Sequence, residues 1–195
     1  GYWKKFKKVL KRAYKKGLIT FNPDNAEVKF SVDNELRKDT LEIDEILLLW
    51  GTDCANPEIK KAFLHCCLCT GYGQKDAANL KFKHIGCDGA IIKDREKTNI
   101  RAMALMTELG KLLIPERGKP EDPVFKLDYT NNGANKALKK WVAAAGIEKN
   151  ITWYSARHTF AMLLNDLNLD LRNLAAAPGH SEKSGYEYVV RYSRV

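Results

Sequence analysis

The sequence predicts an α+β domain, mainly helical, with a small three-stranded antiparallel sheet. Apolar residues recur at helical spacing in several separate segments, whereas residues 81–105 break into short apolar runs divided by Gly86, Asp88-Gly89 and Lys97-Thr98-Asn99. A hydrophobic content of 45% over 195 residues is enough to build a real core.

Taken in order, residues 3–16 (WKKFKKVLKRAYKK) place Trp3, Phe6, Leu10, Ala13 and Tyr14 on one stripe and carry eight lysines and arginines with no acid. This is a basic amphipathic helix, which Gly17 and Asn22-Pro23-Asp24 end. Residues 25–39 alternate charged and apolar character without a helical period and read as a linker. Thr40 is placed to cap a helix through Trp50, with Glu42, Asp44 and Glu45 in the first turn, where the helix dipole favours acids. Pro57 opens a helix from Glu58 to Cys69, which Thr70-Gly71-Tyr72-Gly73 breaks before a short helix to Leu80. Strands are predicted at 82–85, 90–93 and 100–104. Helices resume at 107–113, 131–145, 155–167 and 171–176, around a Pro/Gly-rich loop at 115–123.

Lysine and arginine exceed aspartate and glutamate by 33 to 24, and the net charge of +9 favours a polyanionic partner such as double-stranded DNA. Cys66, Cys67 and Cys69 are too crowded for an ordinary disulfide framework, and Cys54 and Cys87 do not complete a zinc site. The cysteines are therefore expected as reduced, mostly buried thiols in the cytoplasm, with no metal and no cofactor. No apolar run approaches the roughly 18 residues that a membrane span needs, and no signal peptide is visible. The chain begins at Gly1 without a methionine, as a piece of a longer protein would.

The stretch that organises the chain is residues 151–161, ITWYSARHTFA. Phe160, Leu163, Leu164 and Leu167 fall on one helical face, and Ser155 is placed to cap the helix in front of Arg157. A guanidinium near a helix N-terminus is suited to gripping a phosphate. His158, next to it, faces another side and reads as structural.

Arg157-His158-Thr159-Phe160-Ala161, followed by Gly179-His180-Ser181 and a tyrosine close to the C-terminus, resembles the catalytic domain of the tyrosine recombinases, the integrases of phages and transposons. The resemblance covers nearly the whole chain. It implies that residues 1–24 hold the last helix of a core-binding domain, that 25–39 is the linker and that 40–195 is the catalytic domain. It implies an enzyme that cleaves and rejoins DNA through a 3′-phosphotyrosine link, without metal or nucleotide, as an oligomer on DNA and with a monomer allowed in solution. The transition state is a pentavalent phosphorane, which calls for cations and hydrogen-bond donors around the non-bridging oxygens and an acid for the departing 5′ oxygen.

Residue by residue, the resemblance places Arg157 and His180 on the scissile phosphate and Lys97 on a hairpin as general acid. The nucleophile stays open: Tyr192 fits by its flanks in Arg191-Tyr192-Ser193-Arg194-Val195, and Tyr188 and Tyr186 lie nearby. Two positions depart from the family pattern. In Thr70-Gly71-Tyr72-Gly73-Gln74-Lys75-Asp76 the slot of the first arginine holds Gly73, while Asp76 and Leu80 match. Tyr154 stands where the family has histidine or lysine three residues before Arg157, and a phenol can donate a hydrogen bond but carries no charge at neutral pH. Arg95, two residues before Lys97 and so on the same strand face, is the candidate to replace the missing arginine. Two readings remain open at this stage, an active recombinase with a rearranged site and a catalytically impaired DNA-binding relative.

Overall fold

A computed structural model describes residues 2–25, 39–96, 101–128 and 130–166. The chain divides into two compact units, Gly1–Arg37 and Lys38–Val195. In the first, helix α1 (Tyr2–Lys15) has no buried residue. Trp3 and Phe6 meet with ring centroids 5.9 Å apart, and Lys7 and Lys11 both reach the Asp24 carboxylate, at 3.4 and 2.7 Å. Gly17 follows at φ +69°, the left-handed turn that lets the chain leave the helix.

The second unit is mainly helical. Helix α2 (Ile43–Gly51) starts three residues later than its expected cap at Thr40. Glu45 reaches back to accept the Glu42 backbone N–H at 2.7 Å, which makes Glu42 the cap residue. Thr40 and Leu41 are instead tied to the distant helix of residues 153–166, Leu41 N–H donating to Thr159 Oγ1 at 2.9 Å. Helix α3 (Pro57–His65) begins as expected, with Pro57 in the first position and Asn56 Oδ1 capping Ile59 N–H. It does not run on as α-helix. Cys66–Thr70 form one π-turn closed by Gly71 N–H on Cys66 O at 2.8 Å. Gly71 then takes φ +59°, and a Cβ there would lie 2.7 Å from Phe160 Cδ1.

Helix α4 (Gln74–Ala78) is short. Among the described residues the sheet has two strands where three were expected, β1 (Ala90–Asp94) and β2 (Arg101–Leu105), antiparallel with Ile92 opposite Met103. The predicted first strand is a 3₁₀ turn, Phe82–His84, because its backbone is engaged elsewhere. Phe82 and Lys83 N–H groups donate to Asp122 O and Pro120 O, and His84 N–H to Lys81 O, leaving only an isolated bridge from Ile85 to Ile91. Helices α5 (Glu108–Leu113) and α6 (Asn131–Ala144) are capped by Thr107 and Thr130 hydroxyls.

Helix α7 (Trp153–Asp166) starts two residues before the expected cap. Trp153 N–H is satisfied by Asn135 Oδ1 of α6 at 2.7 Å, and Ser155 lies inside the helix with its hydroxyl accepting Thr152 N–H at 3.1 Å. Its first half is buried nearly all round, Trp153 and residues 155–161, rather than along one stripe. Phe63 sits edge-on to both Trp141 and Trp153, at 6.3 and 5.8 Å, and joins α3, α6 and α7 at the centre of the core. The expected helix at 171–176 lies outside the described residues.

All five cysteines are free thiols. Cys66, Cys67 and Cys69 are buried as expected, and burial pushes Cys66 up to about 12. His65 is also fully buried, against Phe125, and burial holds its pKa down at about 4. Its folded value lies below the unfolded value of 6.5, so the unfolded chain binds the extra proton. The associated stability is complete above about pH 6.5 and is lost as pH falls towards 4. A loss on the order of 3 kcal/mol is expected over that window, read from urea midpoints at pH 7 and pH 4.5. His65→Leu should flatten that dependence.

Candidate active site

The structure builds a site around the strap of residues 71–76. At one end Arg157, in the second turn of α7 and buried at 7% exposure, donates Nε–H to Gly71 O at 2.9 Å. The arginine is therefore aimed by a backbone carbonyl, and it lies one turn inside α7 and not at the head of the helix as expected. Gly71 makes this possible twice over, since its positive φ turns the carbonyl and its missing Cβ lets Phe160 approach. Gly71→Ala is expected to lower stability by about 2 to 4 kcal/mol, from left-handed strain and the Phe160 clash, and to displace Arg157. Denaturant unfolding checks the first effect and cleavage the second.

At the other end, Asp76 on α4 gathers two cations from β1 and the residue after it. Its Oδ2 lies 3.7 Å from Arg95 Nε and its Oδ1 4.0 Å from Lys93 Nζ, with all three side chains under a tenth exposed. Oδ1 also accepts the Glu96 backbone N–H at 3.0 Å. Burial alternates along the strand: Ile91, Lys93 and Arg95 are buried, while Ile92 and Asp94 are exposed, and Lys97, the residue expected to share the face of Arg95, lies outside the described residues. Arg95 is thus held in the interior beside Asp76 and not splayed into solvent. Tyr72, fully buried in the same strap, has its phenol pushed up, chiefly by burial and then by Asp76.

Between the two ends lies Gly73, with φ −74° and ψ 165°, a conformation open to any residue. A Cβ there would meet only Asp76 Oδ2, at 3.8 Å. Lys75 is exposed. Tyr154, three residues before Arg157 and so on a neighbouring part of the α7 surface, is half exposed. Its ring stands edge-on to buried His158 at 4.4 Å, which fits the structural reading of that histidine. Lys97, His180, Tyr192, Tyr188 and Tyr186 lie outside the described residues.

Lys93 was missed by the sequence reading. A lysine in a strand is normally solvated, and the available signal was its place between Ile91 and Arg95 on the inward alternation. Among the described residues no group of three or more His, Cys, Asp or Glu could hold a metal ion, and no helix is long and apolar enough to cross a membrane.

A mainly helical domain with a small antiparallel hairpin and an inward arginine on a buried helix has the fold of a DNA breaking-rejoining domain. The profile of the phage integrase family matches residues 39–194, and the chain belongs to that family of tyrosine recombinases. It is 29% identical over 162 residues to tyrosine recombinase XerD of Listeria monocytogenes serotype 4b (strain F2365), covering 74% of this chain and 54% of that relative, so it spans about half the relative's length. The fold is similar to that of a lambda integrase (75–356) dimer bound to a COC′ core site, with TM-score 0.72 and 17% identity over 97% of this chain and 72% of that one. It is also similar to the Tn1549 transposon integrase in complex with transposon right end DNA, with TM-score 0.65 and 16% identity over 97% and 73% of the two chains.

Proposed function

We propose that this chain is the strand-transferring part of a site-specific recombinase of a mobile element, acting on double-stranded DNA. The observation that carries the reading is the strap of residues 71–76, which ties a buried arginine at each end, Arg157 through Gly71 and Arg95 through Asp76. Two guanidiniums fixed in a partly desolvated setting suit the extra charge of a phosphorane, and they cost no reorganisation when it forms. In the reaction, the Tyr192 hydroxyl oxygen bonds to phosphorus as its proton passes to solvent water. The bond from phosphorus to the 5′ oxygen breaks, and Lys97 gives that oxygen a proton. Arg157, Arg95 and His180 neutralise or hydrogen-bond the non-bridging oxygens, and Tyr154 donates its phenol proton as a hydrogen bond. Tyr188 is the second candidate for the nucleophile.

Residues 1–24 are read as the end of a core-binding domain, 25–39 as the linker and 40–195 as the catalytic domain, working in the cytoplasm. Assembly into an oligomer on DNA is supported by the relative solved as a DNA-bound dimer. The catalytically impaired alternative receives no support from the relatives, and Arg95 beside Asp76 argues for a rearranged site instead.

The deciding experiment is a nicked suicide substrate, on which the chain should form a covalent protein–DNA adduct that Tyr192→Phe abolishes. DNA binding without any adduct would favour the impaired relative. Binding itself should weaken steeply with salt. Replacing Lys4, Lys5, Lys7 and Lys8 by alanine should lower affinity about equally for all duplex sequences, as loss of phosphate contacts does, and anisotropy at two salt concentrations checks both effects.

A further inference from the structure

We infer that Lys93 is a positioning residue that holds the residues on both sides of Arg95, through the Asp94 backbone carbonyl and the Glu96 carboxylate; the inference rests on the proposed role of Arg95 in strand transfer. Lys93 Nζ donates to Asp94 O at 3.1 Å and to Glu96 Oε1 at 3.1 Å, the residues immediately before and after Arg95. On the other side, Asp76 Oδ1 accepts Glu96 N–H at 3.0 Å and lies 4.0 Å from the same ammonium, while Oδ2 pairs with Arg95. Residues 93–96 are therefore wrapped round one buried ammonium and one buried carboxylate, and Arg95 leaves the chain between the two anchored peptide groups.

The environment of Lys93 argues for a role beyond packing. Its neighbours on the inward face of the hairpin are Ile91, Ala102 and Ala104, and a methionine would fill the same space without burying a charge. An ammonium with a backbone carbonyl, an exposed carboxylate and a buried one around it does what methionine cannot, which is to fix the direction of a short strand end. Glu96 is held below the usual carboxylate range, chiefly by its hydrogen bond from Lys93. A guanidinium contributes to a transition state only if its fork is held in place, so the anchors on either side of Arg95 transmit to the reacting phosphate.

The test has an activity arm and an exchange arm. In single-turnover cleavage, Lys93→Met should slow the reaction by about tenfold to a hundredfold, as loss of an orienting partner does. Lys93→Arg should restore most of the rate. The double variant Lys93→Met/Arg95→Ala should be no slower than Arg95→Ala alone, because the lysine acts through the arginine. A methylphosphonate at the scissile position removes one negative charge from the phosphorane, and it should relieve the deficits of Lys93→Met and Arg95→Ala alike. Multiplying deficits in the double variant, or a Lys93→Met rate equal to wild type, would overturn the clamp.

The exchange arm does not depend on activity. Amide exchange at Glu96 should quicken by about tenfold or more in Lys93→Met and in Glu96→Gln, where only an exposed side chain is altered, while amides of α3 and α7 stay protected. Unchanged exchange at Glu96 in both variants would refute the clamp. A wild-type chain that forms no adduct on either substrate counts against the strand-transfer reading, and the exchange arm then decides the clamp alone.

Discussion

Arg157→Lys is expected to leave a folded protein that binds duplex DNA with wild-type affinity and cleaves it about 10²–10³-fold more slowly, the usual consequence of losing one preorganised donor at a developing charge. Two features of the site set that size. The guanidinium is buried and its Nε–H is used on Gly71 O at 2.9 Å, so the remaining donors of its planar fork have a fixed direction. Lysine keeps the positive charge near the strap but has no second donor. An ammonium that satisfies the Gly71 carbonyl no longer presents a two-pronged face to a phosphate. Fold retention is expected because the packing of α7 rests on Trp153, Ala156, Phe160 and Ala161, none of which the substitution touches. The checks are circular dichroism with a urea midpoint, anisotropy on duplex DNA, and single-turnover cleavage of a nicked substrate. A variant that unfolds would make Arg157 a structural residue and remove the main support for the proposed chemistry.

The same arginine illustrates how far the sequence could be read. Its helix was legible from the apolar spacing around it, and the helices of residues 57–65, 108–113 and 131–144 likewise follow from local pattern and caps. Helix α7 begins two residues before Ser155 because Asn135, eighteen residues away, takes the Trp153 N–H, and the Ser155 hydroxyl, now inside the helix, accepts the Thr152 N–H. The missing strand has a similar cause. Residues 82–85 form a short apolar run with no period of its own, and the distant loop around Pro120 and Asp122 accepts the N–H groups that a ladder would need. The family motifs located Arg157, Gly73 and Asp76 without any structure. What they could not reveal is the burial of Lys93 and Arg95 around one carboxylate, because charge burial is decided by the elements that close over it and leaves only a weak alternation in the sequence.

On the proposed reading, in which Arg95 supplies the charge that Gly73 does not, Arg95→Ala is expected to reduce cleavage about as far as Arg157→Ala, by about 10²–10³-fold or more. The geometry around Gly73 makes the claim testable in the reverse direction. Position 73 has backbone angles open to any residue, and a Cβ there meets only Asp76 Oδ2, at an ordinary 3.8 Å. An arginine introduced at 73 would therefore enter without backbone strain and start beside the same carboxylate that lies 3.7 Å from Arg95 in the native chain. Asp76 would then be the common partner of the native Arg95 and of an arginine placed at 73. Gly73→Arg in the Arg95→Ala background should then recover cleavage by tenfold or more. Gly73→Arg alone should give little, because two guanidiniums would compete for one buried carboxylate. Lys75→Ala, which removes an exposed cation from the same short helix, should stay within a few-fold of wild type and controls for general loss of charge. Single-turnover cleavage by the four variants, with DNA affinity measured alongside, separates the outcomes. An Arg95→Ala protein that cleaves at the wild-type rate would end the compensation idea. A stably folded double variant that recovers nothing would mean that Arg95 serves the reaction from a place an arginine at 73 cannot reach.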